Sequence, residues 1–148
     1  MDNKKSLKTC KVARISTMSF VLATQLRRQI VDMMQEGMDV TLISGRDHGM
    51  EVINELKLKH HVINFARDIS LLRDFSTLFK LYWLFLKHNF SIVHSITPKA
   101  GLLVSIAGWL ARTPVRLHTF TGQAWANLSG WKRWICIVMD KIIINLST

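Results

Sequence analysis

The stretch VHSITPKAGLLVSIAGWLARTPVRLHTFTGQAW, Val93 to Trp125, decides the fold. It opens on a short apolar run, passes through a Thr-Pro-Lys turn into a longer apolar segment, and after Pro114 enters a second short run ending in His118 and Thr119. Strand, anion-friendly loop, helix, strand and Gly-containing loop, in that order, make one repeat of a parallel α/β sheet with polar groups gathered at one edge.

The same alternation extends outward in both directions. Lys11 to Thr17, Val40 to Ser44, Val62 to Phe65, Ser91 to Ile96 and Val115 to Phe120 read as strands. Between and after them, Leu22 to Gln35, Met50 to Leu58, Leu71 to His88, Lys99 to Ala111 and Trp131 to Asn145 carry apolar residues at helical spacing. Gly37 supplies the left-handed cap that closes the first helix. Five alternations with no linker or internal repeat predict one domain over 1–148, a Rossmann-like doubly wound parallel sheet with right-handed crossovers.

A chain of 148 residues can bury roughly 68–70% of its unfolded surface, so the core needs no covalent staples. Cys10 and Cys136 form no CxxC and sit near no histidine at ligand spacing, which argues against a disulfide scaffold or zinc site and suits a reducing cytoplasm. Lys4, Lys5, Lys8, Lys11 and Arg14 interrupt any signal-peptide core. The apolar run Gly101 to Ala111 falls short of the ~18–20 residues that a spanning helix needs.

A formal net charge of +10 attracts phosphate-bearing partners, whether nucleic acid, anionic lipid or a phosphorylated substrate. No run of Lys and Arg exceeds two and no recognition-helix or RNP pattern occurs, so no specific nucleic acid is expected. Peripheral contact with an anionic inner-membrane surface is the better expectation. Two clusters invite it. In LFKLYWLFLKHNF, Leu78 to Phe90, the stripe is mainly core, but Trp83 or Phe85 can face a bilayer. Trp131, Lys132, Arg133 and Trp134 form the second.

In this fold class ligands gather where strands end and helices begin. Thr97, Pro98 and Lys99 form the sharpest such turn: Pro98 suits the first helical position, Thr97 can cap it, and Lys99 adds positive charge. The turn reads equally as an anion receiver or as an ordinary helix start. His118 ends the fifth strand and is either a ligand contact or a satisfied strand-end histidine, while Gly122 lets backbone approach a ligand closely. His94, inside the fourth strand, reads as a core or sheet-edge group. A Ser/His/Asp order, paired metal carboxylates, a Walker loop and a GxGxxG after the first strand are all missing, which disfavours hydrolase, metalloenzyme, P-loop and dehydrogenase readings.

Three segments, FARDISLLRDF (Phe65 to Phe75), VHSITPKAGLL (Val93 to Leu103) and RLHTFTGQAW (Arg116 to Trp125), together resemble the N-terminal domain of family 4 glycosyltransferases of the bacterial surface-polysaccharide and O-antigen group. The resemblance covers essentially the whole chain. It implies one half of a GT-B architecture, in which the first domain receives the acceptor and the second the nucleotide-sugar, with retention of configuration and no bound metal or other cofactor. It further implies a saccharide on undecaprenyl diphosphate as acceptor.

By position, the resemblance places His118 against the donor sugar, with Thr119, Gly122 and Gln123 shaping that wall. Ser19, Thr97 and Lys99 fall near the acceptor or its phosphate, and Arg67 with Asp74 orders the third-strand loop. Two departures stand out. Ser19 and Phe20 replace the glycine pair common in the first loop, and the family's donor domain, with two glutamates seven residues apart, has no counterpart. A truncated or frameshifted product, inactive alone, is therefore the expectation ahead of half of a split enzyme or a non-catalytic acceptor- or anion-binding module.

Overall fold

The computed structural model describes residues 10–55, 57–66, 70–123 and 125–148. Five strands, β1 (Lys11–Ser16), β2 (Asp39–Ser44), β3 (Lys59–Val62), β4 (Ile92–Ser95) and β5 (Val115–His118), form an all-parallel sheet in the order β3-β2-β1-β4-β5. The order reverses at β1, so β1 and β4 part company at their carboxyl ends and leave a crevice there. Strand alternation supplies two cores. Ala13, Ile15, Ile43 and Val93 face α4 (Leu71–His88) and α5 (Pro98–Leu110), against which α6 (Gly130–Leu146) packs. Val40 and Leu42 face α1 (Ser19–Ala23), α2 (Arg27–Gln35) and α3 (Met50–Glu55) on the opposite side.

Most expected elements are present within one or two residues, the ordinary fraying of helix and strand ends. Gly37 takes φ 87°, the left-handed cap foreseen for it. The expected helix over Leu22 to Gln35 is instead two. Thr24 closes α1 by donating both its N–H and its hydroxyl to the Phe20 carbonyl, and α2 restarts from the Leu26 carbonyl. The strand expected over Val62 to Phe65 lies at Lys59–Val62. It is an edge strand exposed on one side, so its pattern is polar, and the apolar VINF run marks its exit, where the Ile63 N–H still bonds the Ser44 carbonyl at 2.9 Å.

α5 is apolar all round because the sheet, α4 and α6 enclose it. Its tight approach to β5 depends on Gly101: a Cβ there would come within 2.5 Å of the His118 ring. Among the described residues no helix is long and apolar enough to cross a membrane.

Candidate functional site

A cleft of about 780 Å³ opens at the carboxyl ends of the first four strands. Thr17 and Met18 line it from β1, Gly45 to Asp47 from β2, Asn64 to Ala66 from β3, and Thr97 to Lys99 from β4. Two helix N-termini meet it, and the chain treats them differently. At α1 the Asp47 carboxylate fills the positive end: its Oδ1 accepts the Ser19 hydroxyl, the Phe20 N–H at 3.0 Å and the Gly49 N–H at 2.8 Å. Burial pushes the Asp47 pKa up, but these hydrogen bonds outweigh it and hold the carboxyl below its ordinary value.

At α5 the N-cap residue, Thr97, makes no side-chain cap hydrogen bond. Pro98 opens the first turn as expected, but the Thr97 hydroxyl is turned to β1, where it accepts the Thr17 N–H at 3.1 Å. The first-turn amides of α5 are thus left uncapped by the residue best suited to the task. Lys99 stands beside them, its Nζ 2.8 Å from Asp74 Oδ1 on α4, both side chains about one-fifth exposed. Asp74 in turn accepts the Ser70 N–H at 3.2 Å, so a single carboxylate joins the starts of α4 and α5.

The other foreseen residues are distributed around this cleft. Ser19 is fully buried and its hydroxyl serves Asp47. His118 lies one strand over, beside Ser95 in the β4–β5 register. Its Nδ1 bonds Ser95 Oγ at 2.9 Å, its ring rests on Gly101 and edge-on to Phe120, and among the described residues its buried Nε2 has no hydrogen-bond partner. Burial lowers the His118 pKa, with Asp140 and the Ser95 backbone pulling the other way. Gly122 and Gln123 are exposed in the loop that follows, and among the described residues, its chain neighbours aside, nothing lies within 4 Å of where a Gly122 Cβ would be. Arg67 lies outside the described residues.

Thr119 belongs to a network not foreseen from sequence. Gln29 Oε1 accepts Arg14 Nη2 at 3.0 Å, Arg14 Nη1 lies 2.8 Å from His94 Nδ1, and His94 Nε2 lies 2.8 Å from Thr119 Oγ1. A guanidinium can only donate, so His94 Nδ1 must accept and the ring proton sits on Nε2, where it donates to Thr119. The neutral imidazole is enforced: burial, then repulsion from Arg14 and His118, lowers its pKa to about 4. A histidine lowered in the native state loses stability as pH falls, because the unfolded chain takes the proton first. The contribution should be intact above about pH 6.5 and vanish towards pH 4. Urea midpoints at pH 7 and pH 5 should differ more for the wild type than for His94→Gln.

The match to known proteins fits this geometry. Residues 22–145 match the model of the glycosyl transferase 4-like domain. The chain belongs to that family. It is 35% identical over 124 residues to the capsular polysaccharide biosynthesis glycosyltransferase CapM of Staphylococcus aureus, covering 83% of this chain and 32% of CapM. It is 39% identical over 66 residues to the UDP-Gal:alpha-D-GlcNAc-diphosphoundecaprenol alpha-1,3-galactosyltransferase of Escherichia coli, covering 45% of this chain and 17% of that enzyme. The chain thus spans about a third or less of these curated relatives.

Similar solved structures include a glycosyltransferase of Rickettsia africae (TM-score 0.63, 16% identity, 89% of this chain and 35% of that one). A UDP-N-acetylglucosamine 2-epimerase assigned as such in Listeria monocytogenes superposes with TM-score 0.66 at 12% identity, over 93% of this chain and 36% of that one. Likeness at this identity establishes the fold alone, the Rossmann-like half of a GT-B architecture, and the epimerase illustrates that one fold hosts different chemistries.

Proposed function

We propose that this chain is the acceptor-side domain of a retaining glycosyltransferase that extends a saccharide carried on undecaprenyl diphosphate during surface polysaccharide assembly, capsule or O-antigen of lipopolysaccharide. The observation that carries this reading is the N-terminus of α5, which opens with Thr97, Pro98 and Lys99 on the cleft of a glycosyl transferase 4-like domain. Helix-start amides, a helix dipole and a lysine are chemistry suited to a diphosphate. To receive it, Lys99 shares its charge between Asp74 and the incoming phosphate. The saccharide then lies over Thr17 and Asn64, which offer hydroxyl and amide partners.

Sugar transfer also requires a nucleotide-sugar, which in this reading a second Rossmann-like domain holds; the nucleotide-sugar is a substrate and no cofactor is invoked. His118, with Thr119, Gly122 and Gln123, forms the wall facing the donor. The domain works at the cytoplasmic face of the membrane, docked peripherally where its lipid-linked acceptor is displayed.

The test pairs binding with turnover. Purified chain should bind a short-chain polyprenyl-diphosphate N-acetylglucosamine, and Lys99→Met should weaken that binding roughly tenfold, the worth of one charge-assisted contact. With nucleotide-sugar added, the chain alone should transfer nothing, because stabilising the transition state needs the donor domain closed over the site. Turnover by this polypeptide alone would overturn the assignment of the donor to a second domain, and failure to bind the acceptor would overturn the acceptor-side reading.

A further inference from the structure

Helix α4 has one more face than its fold requires. Thr77, Leu81 and Phe85 are buried against the sheet. An amphipathic helix on a parallel sheet needs only that stripe. Yet Leu72, Phe75, Phe79, Trp83 and Leu86, spaced three or four apart along the same 18 residues, are 87%, 69%, 54%, 56% and 43% exposed. They form a second apolar stripe about 21 Å long at 1.5 Å per residue. Scattered surface hydrophobics are ordinary, but a continuous stripe marks a surface built to be covered. Phe85, one of the two bilayer-facing candidates, is 2% exposed and belongs to the core, whereas Trp83 lies in the outer stripe.

Charge identifies the cover. Arg73, Lys80 and Lys87 recur every seven residues, which on a helix places them in one row, and all three are exposed on the flank of the stripe. The helix's one acidic residue, Asp74, is turned away into its pairing with Lys99. Between α4 and the edge strand β3, a groove of about 740 Å³ continues the surface, with Phe79, Trp83 and Leu86 on one side, Val62 and Ile63 on the other, and Lys80 and Lys87 present. Among the described residues its lining includes no carboxylate. Apolar side chains beside a row of cations complement a bilayer with anionic headgroups.

We infer that this face of α4 is the surface by which the domain lies on an anionic membrane. The outer stripe sits at the headgroup–acyl boundary, Trp83 spans the interface, and Arg73, Lys80 and Lys87 engage lipid phosphates. The inference rests on the proposed lipid-linked acceptor only in favouring a bilayer over a protein partner. Vesicle binding is read without any transfer or acceptor-binding assay, so either reading can fail without the other.

Co-sedimentation of the full chain with vesicles of equal parts phosphatidylglycerol and phosphatidylethanolamine, against pure phosphatidylcholine, provides the test. Wild type should bind the anionic vesicles selectively, and Arg73→Gln, Lys80→Gln, Lys87→Gln combined should weaken binding roughly a hundredfold, each cation contributing about a factor of five. Phe75→Ser, Phe79→Ser, Trp83→Ser combined should abolish it, while Trp131→Ser, Trp134→Ser on α6 should leave it largely intact. Should the apolar variant fail to fold, brominated phosphatidylglycerol gives a second measurement: it should quench wild-type tryptophan fluorescence, and Trp83→Phe should remove most of the quenching. Wild-type binding by the charge variant, equal binding to phosphatidylcholine, or loss only in the α6 variant would overturn the inference. So would a solution dimer that the α4 variants dissociate, without vesicle binding, since the stripe would then join two copies of this chain.

Discussion

Asp47→Ala should lower the melting temperature by roughly 6–12 °C, corresponding to about 3 kcal/mol in a domain of this size. The carboxylate gathers three donors from two segments: the Ser19 hydroxyl and Phe20 N–H at the start of α1, and the Gly49 N–H ahead of α3. Alanine orphans all three and removes the negative charge from the positive end of α1. Thermal unfolding followed by circular dichroism checks the size of the loss. Because the native carboxyl pKa lies below the unfolded value of 3.8, this contribution is present above that pH and is lost as pH falls through the lower native value. The gap between wild type and variant should therefore narrow as pH falls below 3.8, and a gap that does not change with acidification would contradict the assignment.

Gly49→Ala should be at least as damaging, with a loss of about 3 kcal/mol. A Cβ at this position would sit 2.7 Å from the Ser19 carbonyl carbon and closer still to the Phe20 N and Cα. These are backbone atoms, so no rotamer change relieves the overlap and α1 must lift from the joint. Asp47 and Gly49 hold the same pair of segments together, which gives the two substitutions a shared consequence. In a double-mutant cycle the combined loss should fall well short of the sum. Additive losses would show that Asp47 stabilises something other than this joint.

The parts of the fold legible in the sequence are those dictated by local patterning. β1 and β2 are central and buried on both faces, so they read as near-continuous apolar runs. β3 escaped this reading because an edge strand owes its place to hydrogen bonds with β2 rather than to burial, and its KHHV residues carry no such signal. The split between α1 and α2 was equally hidden. Leu22, Leu26 and Ile30 keep helical phase straight through the break, and what fixes α1 is a carboxylate 28 residues further on.

The site divides in the same way. Pro98 at a helix start marks the α5 turn in any parallel α/β chain, which made Thr97 and Lys99 readable. Their partners were not, since Thr17 lies 80 residues from Thr97 and Asp74 sits on another helix. Asp47 does carry a local signal: an Asp side chain can accept the backbone N–H two residues on in an Asx turn, as Asp47 does from Gly49. The exposure of Trp83 rather than Phe85 was readable too, because Phe85 shares helical phase with Thr77 and Leu81. The Arg14–His94–Thr119 network joins β1, β4 and the exit of β5 to α2 through Gln29, so sequence spacing had nothing to report.

These contacts give the cleft a consistent design. One helix N-terminus is closed by the chain's own Asp47, and the other, at α5, opens on the cleft with Lys99 beside it and is the proposed ligand site. The most direct measurement of this claim is an amide chemical-shift map of ¹⁵N-labelled protein titrated with a short-chain polyprenyl-diphosphate N-acetylglucosamine. The account predicts saturable shifts at Thr17, Gly45, Asn64, Thr97 and Lys99, with Asp47 and its α1 partners little moved. Shifts confined to the 119–123 loop, or none at saturating ligand, would contradict it.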